Sequence, residues 1–266
     1  MKPIDNTIKY FELLMYYNDT SKFINYELPK GYHYAFYKQG DELDWININI
    51  SSGQFTGIEK GLRIFHDFYD SFISELEKRC FFIVDNSTNE KIGTATVSLL
   101  ENEEYGYNAT IDWLAIKKEY QGQKLSKPLI SKFISVAHDL GHQKILLHTQ
   151  TTTWLAAKLY LDAGFEPLNT EEKLGWSILK TLTNHDKLKN FEKLSNEAIY
   201  DKRNIEIEKQ LCDIYKTNDF NYSVWYKNGL HNVYVWCNNI SEEYEYFEEN
   251  NGIRLEKVNN YPKKKN

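Results

Sequence analysis

Cysteine, proline and methionine are scarce in this chain: three, five and two among 266 residues. Cys80, Cys212 and Cys237 are odd in number, far apart and free of Cys-x-x-Cys spacing. That speaks against a disulfide framework and against a zinc cluster, so no metal is expected. The thiols read as reduced, in a cytoplasmic protein. No apolar run reaches the roughly 18 residues of a spanning helix, so no membrane partner is expected. The first residues, Met1-Lys2-Pro3-Ile4-Asp5, carry no apolar stretch of the secretory kind. A basic excess is missing too. The formal net charge is −6, which disfavours a broad nucleic-acid surface. The run Lys263-Lys264-Lys265 reads as a solubilising end.

What the chain does have is apolar and aromatic substance. Apolar residues make up 41%, aromatic residues 15%, and Tyr alone occurs 20 times. That is enough to build a core. Residues 8–17 suit a strand or short helix, and His33 to Tyr37 a strand. Asp41 reads as the N-cap of a short helix through Trp45, Ile46 and Ile50. Apolar residues from Ile58 to Leu76 recur at helical spacing, so one helix is expected over Ile58–Arg79. Cys80–Val84 and Lys91–Leu100 read as a strand pair, and Ala109–Ile116 as a third strand. Leu125–Leu140 is an amphipathic helix that Gly141 stops. Lys144–Thr149, Thr153–Ala163 and Trp176–Leu179 follow as strand, helix and final strand. This order predicts an α/β or α+β domain with a mixed sheet. After Thr183 the character changes. Residues 186–215 are charged and read as helix, Tyr222 to Trp236 as a hairpin turned at Asn228-Gly229, and Tyr244–Phe247 as a strand. The chain is therefore divided into residues 1–183 and a small α+β accessory module, 184–266.

One segment carries chemistry. An apolar strand, Ile111-Asp-Trp-Leu-Ala-Ile116, enters a polar loop containing Gly122, and the loop opens a helix. Free N–H groups and the dipole at such a helix start favour an anion such as phosphate. Leu114-Ala115-Ile116, then Gln121-Gly122-Gln123-Lys124-Leu125-Ser126, then Thr153, Ala156, Leu159-Tyr160 and Gly164-Phe165, resemble the two motif blocks of the GNAT superfamily of N-acetyltransferases. The resemblance covers roughly residues 32–180. It implies a mostly antiparallel twisted sheet flanked by helices, and acetyl-CoA as co-substrate. Leu114, Ala115 and Ile116 would then bond the pantetheine arm, and an N–H near Ile116 would polarise the acetyl carbonyl. Gln121, Gly122, Gln123, Lys124, Leu125 and Ser126 would cradle the pyrophosphate, with Thr153 in the place of a more usual Asn. Tyr160 would protonate the leaving thiolate. Asp112, expected on the strand face opposite Trp113, would take a proton from the attacking amine.

The implied acceptor is an amine of a small molecule or a peptide, attacking directly in a ternary complex. The competing reading is a GNAT-like fold kept as a weakly catalytic acyl-CoA-binding or interaction module. Lys124 motivates it, standing where the family prefers Gly; a positive φ there would strain the loop. The accessory module is expected to roof the acceptor site or to pair chains as a homodimer. Other residues have blander readings. His138 and His142 share a helix face but lack a third ligand. His148, on the strand before the second block, could face the acceptor or the cofactor, and reads first as a buried structural histidine. Asp67, Asp70, Glu75 and Glu77 read as a solvated helix face. Trp225, Tyr226, Tyr234 and Trp236 read as a packed miniature core.

Overall fold

Alternating apolar residues and short polar turns set most of the strands, and two helical layers cover them. The structure, a computed structural model, describes residues 4–102, 106–218, 220–227, 230–237, 240–249 and 252–258. The chain forms two compact units, Phe11–Leu194 and a smaller one made of Met1–Tyr10 with Ser195–Asn266. Composition alone places the break at 183/184 and the first ten residues in the larger part.

In the larger unit the order is β1 (Glu12–Tyr17), β2 (Tyr32–Phe36), α1 (Glu42–Ser51), α2 (Ile58–Tyr69), α3 (Leu76–Arg79), β3 (Cys80–Asp85), β4 (Glu90–Asn102) and β5 (Gly106–Ile116). Then come α4 (Ser126–Asp139), β6 (Ile145–Gln150), α5 (Trp154–Ala163), β7 (Glu166–Pro167) and α6 (Lys173–Thr183). The strands form one seven-stranded sheet in the order β2-β3-β4-β5-β6-β1-β7. Only the β5–β6 pair is parallel. The expected mixed, mostly antiparallel sheet flanked by helices is therefore present.

Each face of the sheet has its own core. Leu129, Phe133, Ala157, Leu161 and Trp176 of α4, α5 and α6 pack on Met15, Phe81, Val97, Ala109, Ile145 and Leu147. On the other face, Trp45, Ile46, Phe65 and Tyr69 of α1 and α2 pack on Cys80, Phe82, Val84 and Ala115. Trp45 is the hub there, with the rings of Phe55, Phe65, Tyr69 and Trp113 all within 6.0 Å of it, centroid to centroid.

Several expectations need correction. The helix over 58–79 is not continuous. It ends at Tyr69, and a 3-10 stretch with Phe72 at φ −141° leads into α3. Asp70, Ser71 and Ser74 disfavour a helix interior because their side chains compete for backbone groups. Trp176–Leu179 is helix, not strand. Its Trp176 and Leu179 are one turn apart and both buried, a helical spacing that the short run Trp-Ser-Ile-Leu hides. The strand that follows α5 is the two-residue β7. Asp41 does occupy the N-cap position of α1, its carbonyl accepting from the Trp45 N–H, but its side chain caps no helix N–H. Its carboxylate accepts from the Lys38 N–H at 2.9 Å and pairs with Lys91 at 2.5 Å.

In the smaller unit, the residues read as one helix over 186–215 yield α7 (Asn196–Ile199) and α8 (Lys202–Tyr215) after a 3-10 turn at Asp186–Leu188 that belongs to the larger unit. Asp201 caps α8, accepting from the N–H groups of Arg203 and Asn204. Four antiparallel strands follow: β8 (Asn221–Lys227), β9 (Leu230–Cys237), β10 (Ile240–Glu249) and β11 (Gly252–Lys257). Ile207 and Leu211 of α8 pack on Tyr222, Val233, Val235, Tyr244 and Tyr246. The turn at Asn228-Gly229, the side chains of Trp225, Tyr226 and Trp236, and the lysine run at 263–265 lie outside the described residues.

Candidate active site

The sheet opens between its two parallel strands. β5 and β6 share one register pair, Ala109 with Ile145. Beyond it β5 continues to Ile116 and β6 to Gln150. Backbone N–H and C=O groups on the facing edges are thereby left for another chain or molecule to pair. An extended amide-containing arm is the matching shape.

At the far end of β5 the chain turns through a 3-10 segment, Lys118–Tyr120, into the loop that opens α4. Ser51 ties this loop to α1, accepting from the Lys118 N–H at 3.0 Å and donating to Glu119 at 3.0 Å. Among the described residues, the backbone amides of Gly122, Gln123, Lys124, Leu125, Ser126 and Lys127 have no internal acceptor. Gly122 and Lys124 both have positive φ, 79° and 62°. A left-handed residue followed by Leu125 at φ −82° turns successive N–H groups to one side. Ser126 begins the 14-residue α4, whose dipole adds to the same anion-binding field. Gln121 does a different job. Its Nε2 donates to the Ile116 carbonyl at 3.1 Å and its N–H to Lys118 at 3.2 Å, so it fastens the loop to the end of β5.

The gap has a break in its wall. Thr94 faces Ala115, but Thr96 faces Asp112, so β5 holds an extra residue in a bulge. Trp113 takes it up at φ 51°. This corrects the expected orientation of Asp112. An extra residue resets the alternation, so Asp112 and Trp113 lie on the same face. The Trp113 ring packs on Trp45, Phe55 and Phe68. The Asp112 charge acts on Tyr69, in that same cluster. Burial raises the Asp112 carboxyl above its ordinary range, and the neighbouring Ser98 hydroxyl pulls the other way. Buried Tyr69 donates to Thr96 Oγ1 at 3.1 Å, directly beside this position.

Leu114 and Ile116 turn into the α4–α6 core, and Ala115 into the α1–α2 core. Their side chains are thus anchored while their backbone edge lines the gap. Tyr160 of α5 packs on Phe165 at 5.7 Å, and burial pushes its phenol up to about 12. It therefore holds its proton at neutral pH. The Thr153 hydroxyl is held locally, donating to the Gln150 carbonyl at 3.1 Å.

Other sequence candidates separate from this place. His138 lies 3.3 Å from the Thr20 hydroxyl, and Gly141 ends α4 at φ 86°. Asp67, Asp70, Glu75 and Glu77 are all exposed; Asp70 pairs with His66 and Glu75 with Arg79. His148 is not buried as expected. It stands exposed on β6 and its Nδ1–H donates to Glu12 at 2.7 Å. The sequence reading missed this pair, as well as the bulge at Trp113 and the Tyr69–Thr96 hydrogen bond. No local pattern signals any of the three, since each depends on which strands become neighbours. Among the described residues, no three His, Cys, Asp or Glu side chains converge as a metal site, and no helix is long and apolar enough to cross a membrane.

Residues 44–165 match the sequence model of the acetyltransferase (GNAT) family. No curated protein matches the chain. Among solved structures, the chain is similar to a GCN5-related N-acetyltransferase from Sphaerobacter thermophilus, with 15% identity over 61% of this chain and 49% of that one, at TM-score 0.49. A GNAT-family acetyltransferase from Colwellia psychrerythraea is 13% identical over 61% of this chain and 55% of its own, at TM-score 0.45. The NatC complex bound to Gag peptide and CoA contains a chain 19% identical over 50% of this one and 83% of its own, at TM-score 0.41. The chain spans about half the length of the first two. At such identities the likeness concerns the fold alone.

Proposed function

We propose that the chain, whose residues 44–165 match the acetyltransferase (GNAT) family, moves an acetyl group from acetyl-CoA to an amine of a small molecule or peptide. The observation that carries the proposal is the gap between β5 and β6, which leads to six amides without an internal acceptor among the described residues, four in the loop before α4 and two in its first turn. The pantetheine arm has amides to pair with the backbone edge of Leu114–Ile116. The pyrophosphate matches the N–H groups of Gly122–Lys127 and the dipole of α4.

The proposed chemistry assigns roles to the end of β5, Tyr160 and Asp112. The amine nitrogen attacks the thioester carbonyl, with no covalent enzyme intermediate. A backbone N–H at the end of β5, near Ile116, polarises the carbonyl. Tyr160 donates its phenolic proton to the departing thiolate. Asp112 accepts a proton from the amine nitrogen, and its raised pKa makes it a better acceptor than an exposed carboxylate.

Calorimetric titration with acetyl-CoA, followed by thiol release across an amine panel, tests this reading. Saturable binding and amine-dependent release are expected. Absence of binding at millimolar acetyl-CoA refutes it. The positive φ of Lys124 favours a second reading, a fold that binds acyl-CoA with little turnover. Binding without thiol release from any amine would support that one.

A further inference from the structure

An amine that arrives as an ammonium ion must lose two protons to become an amide. The first has to leave before attack, because an ammonium nitrogen has no lone pair. The second leaves once the C–N bond has formed. Asp112 provides one acceptor, and the geometry of the gap points to another.

Asp112 and His148 each stand three residues past the single shared pair, Ala109 and Ile145, on parallel strands. They are therefore level with each other, about 10 Å beyond that pair. Ala109 and Ile111 on β5, and Ile145 and Leu147 on β6, turn into the α4–α6 core. By alternation Asp112 and His148 both turn to the opposite face, on either side of the gap. The α1–α2 core covers strands β3 to β5 of that face. The His148 side chain remains 38% exposed. Its Nδ1–H donates to Glu12 Oε1 on β1 at 2.7 Å. That bond fixes the tautomer and aims Nε2, with its lone pair, away from Glu12. On this face Tyr69 of α2 is committed to Thr96, and Tyr16 and Glu166 are engaged with each other. Tyr16 on β1 donates to Glu166 on β7 at 3.0 Å, and Lys187 lies 3.5 Å from Glu166.

We propose that His148 is a second catalytic base, which takes the first proton from the acceptor's ammonium group, with Glu12 as its positioning residue. The assignment rests on the acetyl-transfer reading above. Nε2 of His148 accepts a proton from R–NH3+ and leaves R–NH2. The nitrogen lone pair forms the C–N bond at the acetyl carbonyl. Asp112 takes the second proton as the C–S bond breaks, and Tyr160 protonates the thiolate. One of the two abstracted protons reloads Tyr160 and the other passes to water, so the reaction releases one proton overall. The acceptor class that needs this device is an alkyl amine, charged at neutral pH.

The test compares spermidine, an alkyl polyamine, with p-anisidine, an arylamine that is already neutral at pH 7. His148→Gln is expected to lower kcat/KM for spermidine by about 100-fold or more. The loss for p-anisidine is expected to be far smaller, and acetyl-CoA binding by calorimetry unchanged. Raising the pH, which deprotonates spermidine in solution, should partly restore its rate in the variant. Ring 15N shifts of His148 should report the Nδ1–H tautomer in the wild type and its loss in Glu12→Ala. Equal losses for both amines, an unaffected spermidine rate, or an Nε2–H tautomer in the wild type overturn the assignment. A wild type that binds acetyl-CoA but releases thiol with no amine of the panel overturns the acetyl-transfer reading and this assignment with it, whereas one that acetylates the arylamine and not the alkyl amine overturns this assignment alone.

Discussion

Replacing Lys124 by Gly should stabilise the larger unit, although it removes a side chain. Lys124 sits at φ 62° with an exposed side chain. For a residue with a Cβ, that left-handed conformation costs about 1–2 kcal/mol. Glycine adopts it without strain but loses more backbone entropy on folding, about 0.5–1 kcal/mol. The difference leaves a net gain of up to about 1.5 kcal/mol. For a unit of this size that corresponds to a rise in Tm of about 3–6 °C at most. The assay is thermal unfolding by circular dichroism without cofactor, with Lys124→Ala as the control. Alanine keeps the Cβ, and with it the strain, while removing the rest of the exposed side chain, so it should leave Tm unchanged. Acetyl-CoA affinity separates two further contributions. If the ammonium pairs with a phosphate, both variants bind more weakly; if strain opposes binding, only the glycine variant binds more tightly. A glycine variant less stable than the alanine variant would refute the strain argument.

Three other outcomes are expected. Tyr160→Phe should lower kcat by about 100-fold or more, by removing the proton donor, while calorimetry shows acetyl-CoA affinity unchanged. Gly175→Ala, normally favourable inside a helix, should destabilise by about 1–3 kcal/mol in denaturant melts, because the new Cβ would meet Leu13 Cδ2 at 2.8 Å and Phe11 Cβ at 2.9 Å. Asp112→Asn should abolish most activity yet raise Tm at neutral pH. The folded-state pKa of Asp112 is raised, so its stabilising contribution exists below the unfolded carboxylate range and is lost as pH rises through the folded value. The stability advantage of the Asp112→Asn variant over the wild type should therefore shrink to nothing in acid, which paired melts at two pH values would show.

Much of the fold was legible because its signals are local. The apolar run of β3, the amphipathic pattern of α4 and the stop at Gly141 each follow from neighbours in sequence. The loop before α4 was legible for the same reason, since a strand, a Gly122 turn and a helix start are contiguous. Failures came where tertiary contacts decided. Trp176–Leu179 has strand-like composition, yet it is helical because Gly175 lets α6 lie against Leu13 and Phe11. Simple alternation sets Asp112 on the face opposite Trp113, but the bulge at Trp113 puts both on one face. The Glu12–His148 pair joins residues 136 positions apart. It could be found only once β1 was known to insert between β6 and β7.

The strain in the backbone gives an independent argument for where function lies. Among the described residues, five that are not glycine have positive φ: Asn89, Trp113, Lys124, Asn184 and Lys216. Asn tolerates this conformation, and Asn184 and Lys216 are helix C-caps, where left-handed backbone is usual. Trp113 and Lys124 have no such excuse. Both are unfavourable residues for the conformation, and they stand at the two ends of the same segment. Trp113 turns Asp112 and its own ring onto the α1–α2 face of the gap, and Lys124 turns the loop amides to one side before α4. Strain of this kind persists where the surrounding structure over-determines it, and it concentrates at functional sites. Relieving it at Lys124 tests the cofactor end. Removing the bulge, by deleting Trp113 so that Asp112 is followed directly by Leu114, tests the other end. Under the proposed function, this deletion should restore simple alternation, keep Asp112 opposite Thr96 without the Trp113 ring beside it, and abolish thiol release from acetyl-CoA while calorimetry shows its binding unchanged.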